Sequence, residues 1–152
     1  MRPVDDSEGR PGLPAPNAAL LLAVLGRAVR ADIDAALAEC GLSMRLLSAL
    51  GHLAHQPGLS YSELGRRAGV TAQSMQATFR RLEDTGAVVR TSPGGRGNTA
   101  RLELTDAGRS LLRQGRQVLG RIEADLLAVL PEADGARLRH LLGELAVRRA
   151  KR

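Results

Sequence analysis

Leu22, Leu25, Val29, Ile33 and Leu37 recur at spacings of three and four, one apolar stripe along an otherwise mixed segment. That period marks an amphipathic helix, here of about 22 residues and roughly 33 Å. It begins near Asn17 and stops at Gly41, a residue suited to the left-handed turn after a helix. Ser43 is placed to cap a second helix with Leu46, Leu47, Leu50, Leu53 and Ala54 on its apolar side, and Gln56-Pro57-Gly58 ends it.

Ser60-Tyr61-Ser62-Glu63 has the spacing of a capping box, in which the Ser60 hydroxyl accepts from the Glu63 N–H and the Glu63 carboxylate reaches back. A short third helix closes at Gly69, and Thr71 caps a fourth that runs to about Thr85 and Gly86. Met75, Phe79 and Leu82 form the inward stripe of this fourth helix. Gln73, Ser74, Gln76, Ala77, Arg80, Arg81 and Asp84 are left facing outward. Ala87 to Thr91 and Thr99 to Leu104 then alternate at period two on either side of Ser92-Pro93-Gly94-Gly95-Arg96-Gly97-Asn98, which predicts a hairpin with a long tip. Thr105 caps a long helix carrying Leu112, Leu119, Ile122, Leu126 and Leu130, and after Pro131 a last helix carries Leu138, Leu141, Leu142 and Leu145.

The pattern sums to a mostly α (α+β) chain: a winged helix-turn-helix over residues 43–104, its wing at 87–104, flanked by helices at 18–40 and 106–148. Residues 1–17, with four prolines, three acidic side chains and no period, read as a flexible arm, and 149–152 as a basic tail. The two end helices extend beyond what one small winged lobe covers. Symmetric pairing would bury their leucines and set two recognition helices about 34 to 36 Å apart, one turn of DNA.

Composition narrows the function. The chain has 152 residues, 43% of them hydrophobic, enough for one domain with a core. Tyr61 and Phe79 are its only aromatic residues, which excludes the stacking platforms that single-stranded nucleic acids need. The longest apolar run, Ala18 to Gly26, is nine residues, far short of the roughly 20 that cross a bilayer. The acidic segment before it argues against a signal peptide, so no membrane contact is expected and the chain reads as a soluble cytoplasmic protein. Lys151 is the single lysine, which removes a P-loop and makes Schiff-base chemistry improbable. With no nucleophile elbow, metal-ligand cluster or convincing carboxylate pair, the chain reads as no enzyme, with no cofactor and no metal.

The net charge of +6 is carried almost wholly by arginine, and Arg66, Arg67, Arg80, Arg81, Arg90, Arg96 and Arg101 against Glu83 and Asp84 place +5 of it in residues 66–101. A basic surface on a helix-turn-helix and hairpin is the footprint of double-stranded DNA. The expected DNA-binding residues are Thr71, Gln73, Ser74, Gln76, Arg80, Arg81, Arg90, Arg96 and Asn98. Gln73, Ser74, Gln76 and Arg80 or Arg81 would read base edges, with Arg96 reaching the minor groove.

Gln56-Pro57-Gly58-Leu59-Ser60 through Glu63-Leu64, Arg67-Ala68-Gly69-Val70-Thr71, Arg81-Leu82-Glu83 with Gly86, and Leu104-Thr105-Asp106-Ala107-Gly108 together resemble the MarR family of bacterial transcription regulators over residues 18–148. The resemblance implies a homodimer held by its first and last helices on a pseudo-palindromic operator, acting as a repressor relieved by a small-molecule effector. The alternatives are a constitutive DNA-binding protein and a redox- or metal-responsive regulator. Family wings carry an Asp-x-Arg near the tip where this chain has Arg96-Gly97-Asn98.

Other candidates are set against plain readings. His52 and His55, one turn apart, are the candidates for a ligand site, and Cys40 or His140 could add a metal ligand. Without a closing zinc-finger pair or a His-Glu-x-x-His, they read as ordinary helix histidines. Cys40 reads as a small buried hydrophobe. Gly95-x-Gly97-x-x-Ala100 imitates a dinucleotide fingerprint but leads into a strand, so it reads as turn chemistry.

Overall fold

The computed structural model describes residues 17–92 and 101–151. The element order is α1 (Ala18–Glu39), α2 (Met44–His55), α3 (Tyr61–Ala68), α4 (Ala72–Asp84), β1 (Val88–Arg90), β2 (Leu102–Leu104), α5 (Asp106–Leu127) and α6 (Glu132–Ala150). The arm at 1–16 and the hairpin tip at 93–100, with Arg96 and Asn98, lie outside the described residues.

Helix starts follow from short polar side chains that accept from otherwise unpaired N–H groups. Asn17 accepts from the Leu20 N–H at 2.8 Å, Ser43 from Leu46 at 3.2 Å, Thr71 from Ser74 at 3.1 Å and Thr105 from Gly108 at 3.1 Å. At α3 both halves of the capping box form: Ser60 Oγ accepts from the Glu63 N–H at 3.2 Å while Glu63 Oε2 accepts from the Ser60 N–H at 2.7 Å. The bonded Ser60 N–H holds the Glu63 carboxyl below its ordinary value, with the Ser60 hydroxyl adding to that.

The turn between α3 and α4 depends on two glycines. Gly69 has φ of +67°, and a Cβ on Gly65 would lie 2.8 Å from the Val70 carbonyl oxygen, so the following turn lies against α3 itself. The sheet is a two-stranded antiparallel hairpin with Val88 opposite Leu104, Val89 opposite Glu103 and Arg90 opposite Leu102. Leu59 bridges to Leu102 and fastens the start of α3 to the hairpin. β1 is shorter than the alternating pattern predicts, with Ala87 and Thr91 outside it.

The core lies where α2, α4, the hairpin and α5 meet, around Leu50, Leu53, Leu64, Met75, Phe79, Leu102 and Val118. Phe79 is fully buried, and truncating such a residue to Ala costs about 3–5 kcal/mol. Met75, Phe79 and Leu82 are the buried side of α4, as their spacing requires.

The end helices extend beyond the lobe, as their length leads one to expect. Of the α1 stripe only Leu37 is buried, Val29 and Ile33 are half-buried, and Leu25 is 53% exposed. Along α6 only Gly135 is buried, and Leu145 is 57% exposed. Both helices outrun the core of their own chain, so their leucines have nothing there to cover them. The expected tail changes, since α6 continues through Arg149 to Ala150.

Candidate nucleic-acid interface

The capped α3, the Gly69 turn and α4 make a helix-turn-helix, and the buried stripe of α4 fixes which side faces out. Gln73, Ala77, Arg80, Arg81 and Asp84 are exposed, and Ser74 and Gln76 are half-buried at the edges of that side. The side chains of Arg80 and Arg81 make no hydrogen bond or ion pair among the described residues. Thr71 is exposed and spends its oxygen as the α4 cap. A surface of amides, hydroxyls and free guanidinium groups on one helix suits the donor and acceptor edges of a DNA major groove.

Arg90 stands differently. Its Nε donates to Glu83 Oε1 at 2.9 Å and its Nη2 to Glu83 Oε2 at 3.1 Å, a fork-to-carboxylate pair joining β1 to the last turn of α4. The Tyr61 hydroxyl also donates to Glu83 Oε1, and the Arg90 guanidinium lies 5.6 Å from the Tyr61 ring centre. The Arg90 pair holds the Glu83 carboxyl below its ordinary range against the opposing effect of burial, and Glu83 in turn holds Arg90 more firmly charged. Burial, then the neighbouring Glu83 carboxylate, pushes the Tyr61 phenol up to about 12. Arg101, though exposed, donates from Nη1 to the Gly58 carbonyl at 2.9 Å, and Arg67 donates to the Gln56 side chain. Part of the basic charge in this region therefore braces the lobe.

Two features escape sequence reasoning. Arg45, in the first turn of α2, donates from Nη1 to Ser74 Oγ at 3.2 Å and so stands beside the outward side of α4. The available signal was a cation where the helix dipole disfavours one by about 0.3–1 kcal/mol. The second feature is a cleft of about 490 Å³ between the end of α1, the start of α2, the end of α4 and α5, lined by Cys40, Leu46, Arg81, Thr85, Ser110 and Gln114 among others. No sequence spacing announces it, because its walls come from four separate elements. His52 and His55, the sequence candidates for a ligand, are both on α2 but do not line this cleft. They sit towards the end of α2, whereas the cleft takes residues from its start. Cys40 does line it, half-buried rather than fully packed. Among the described residues no three His, Cys, Asp or Glu side chains converge to hold a metal, and His140 faces Glu144 at 3.7 Å on α6. No helix among the described residues is long and apolar enough to cross a membrane.

Helix-turn-helix, paired wing strands and flanking long helices define a winged helix-turn-helix protein. A family model described as MarR family matches residues 40–97. The HTH-type transcriptional repressor Rv2887 of Mycobacterium tuberculosis is 36% identical over 125 residues, covering 82% of this chain and 90% of its own. The crystal structure of Rv2887 in complex with DNA is similar at a TM-score of 0.75 and 33% identity, over 86% of this chain and 98% of that one. Its complex with salicylic acid is similar at a TM-score of 0.66 and 34% identity, over 86% and 97%. The chain belongs to the MarR family.

Proposed function

We propose that the protein is a homodimeric, sequence-specific double-stranded DNA-binding repressor, working in the bacterial cytoplasm by binding rather than catalysis. The observation that carries this reading is the polar outward side of α4, with its exposed Gln73 and the unpaired side chain of Arg80, flanked by the hairpin. Gln73, Ser74, Gln76 and Arg80 read base edges, Thr71 and the wing residues Arg96 and Asn98 contact the backbone or minor groove, and Arg90 fixes the wing's angle to α4. The bare leucines of α1 and α6 are covered by a second copy, which sets two α4 helices on successive major grooves of a pseudo-palindrome.

The cleft beside Arg81 takes the effector, a small organic acid. Its apolar walls suit a ring and the unpaired Arg81 guanidinium suits a carboxylate. The salicylic acid complex of Rv2887 supports that class of ligand. Since Arg81 belongs to the recognition helix, a bound acid favours arrangements of α4 that no longer fit the groove, which lowers DNA affinity by population shift.

The test is fluorescence anisotropy on a duplex selected from random DNA and on its scrambled version, at several salt concentrations. Strong, salt-steep preference for the selected duplex is the expected result, and equal weak binding to both overturns the reading. Salicylate should release the DNA and also raise the melting temperature of the free protein. Release without binding to the free protein would contradict the effector step, because coupling between two binding equilibria is reciprocal.

A further inference from the structure

Arg45 occupies the first turn of α2, where the exposed backbone N–H groups already carry partial positive charge and no acidic side chain is present to offset it. The placement is unfavourable for the helix, and the guanidinium is not drawn away into an ion pair among the described residues. Its Nη1 instead donates across to Ser74 Oγ at 3.2 Å, a contact between residues 29 apart in sequence. Ser74 belongs to the first turn of α4, where its backbone N–H donates to the capping Thr71 Oγ1 at 3.1 Å. Arg45 therefore adds a cation at the N-terminal end of the outward side of α4. The residue is exposed and only one of its five N–H donors is used among the described residues.

We infer that Arg45 is a further DNA contact: its free N–H groups grip a backbone phosphate at the edge of the groove that α4 enters, while the bonded N–H holds the Ser74 hydroxyl in its reading position. The inference rests on the DNA-binding reading above. A guanidinium suits both tasks, since its planar fork offers several donors at once where an ammonium offers a point charge. Its role is thus both affinity, which is independent of sequence, and orientation of one base-reading hydroxyl.

The experiment compares wild type, Arg45→Ala, Arg45→Lys and Ser74→Ala on the selected and scrambled duplexes across a salt series, with a thermal melt of each. Arg45→Ala should weaken binding to both duplexes, on the order of tenfold, and make the salt slope shallower by about two, one phosphate contact being lost in each half of the dimer. Arg45→Lys should keep the slope and recover only part of the affinity, and Ser74→Ala should keep the slope while losing preference for the selected duplex. Arg45→Ala should melt no lower than wild type, because it relieves the unfavourable charge at the α2 start. An unchanged slope in Arg45→Ala, or a lowered melting temperature that accompanies its loss of affinity, overturns the contact. Absence of salt-dependent binding in the wild type overturns the DNA-binding reading and the contact with it.

Discussion

Glu83 and Arg90 meet fork to fork, carboxylate against guanidinium at 2.9 and 3.1 Å, so that the last turn of the recognition helix and the first strand of the wing move as one piece. Tyr61 joins them from α3, its hydroxyl on Glu83 and its ring edge-on to Phe79 at 6.0 Å between centres. Three elements, α3, α4 and β1, are thereby fastened to one another. A wing so anchored keeps its angle to α4, which matters when both must touch one duplex.

The first expectation concerns Glu83→Gln. The pair is partly open to solvent, with the Arg90 side chain 41% exposed, so screening limits its worth to about 1 kcal/mol, and the melting temperature should fall by about 2–4 °C at neutral pH. The folded chain holds the Glu83 carboxyl below its ordinary value, so its stabilisation is present above the unfolded value near 4.5 and is lost as pH falls through the lower folded value. The melting curves of variant and wild type should therefore converge in acid. A gap that stays constant from neutral pH to pH about 3 would contradict the role given to the ionised carboxylate.

Tyr61 offers an independent reading of the same cluster. It is the single tyrosine of a chain with no tryptophan, so phenolate absorbance reports it alone. Its ionisation should be centred near 12 rather than 10. A raised value favours the neutral phenol in the folded state, a contribution present in full below the unfolded value of 10 and lost as pH rises through about 12. Glu83→Gln should bring the midpoint down, because it removes the adjacent negative charge. A titration centred at 10 in the folded protein would show that the phenol is not held by Glu83 and burial.

Much of this architecture is legible in the sequence because it is local. Ser43, Ser60, Thr71 and Thr105 act within three residues of themselves, and Gly41, Gly69 and Gly86 sit at positive φ where each helix must stop. The outward side of α4 is equally local, being the complement of Met75, Phe79 and Leu82. The Arg90 partner, the Arg45 contact and the Arg81 cleft depend on the packing of separate elements, for which no spacing rule exists. Period alone also cannot tell whether a leucine stripe meets its own core or a second chain. Leu25 and Leu37 share one stripe and differ in fate for that reason.

Glycines at two helix positions should respond with opposite sign to alanine. Gly108, in the first turn of α5, lies against the chain just after α4. A Cβ there would overlap the Ala87 carbonyl oxygen, which already accepts from the Thr105 N–H at 3.1 Å. Gly108→Ala should destabilise by about 1–3 kcal/mol or more, since the obstacle is backbone that cannot rotate away. Gly51, inside α2, has nothing within 4 Å of the Cβ position, and Gly51→Ala should stabilise by about 0.5–1 kcal/mol through helix propensity. Urea unfolding midpoints decide the matter, and a shift of the same sign in both variants would contradict the packing.

The leucines of α1 and α6 carry the last expectation. Leu25 and Leu145 are each about half exposed, and neither belongs to the core of its own chain, so an aspartate at either position should leave the lobe folded. Burying one such leucine in a dimer contributes about 1.5–3 kcal/mol, and twofold symmetry counts it twice. An aspartate forfeits that and adds two carboxylates in an apolar seam. Leu25→Asp and Leu145→Asp should therefore sediment as monomers at micromolar concentration, with wild-type helix content by circular dichroism. A monomer presents one α4 to one half-site, so its DNA affinity should fall steeply while the salt slope roughly halves, because half the phosphate contacts are gone. Leu37→Asp is the contrasting case, since Leu37 is fully buried in the lobe and its replacement should unfold the chain instead. Dimers that persist in both surface variants would mean that a second copy is held elsewhere, and the spacing of the two recognition helices would then have to be derived from a different interface.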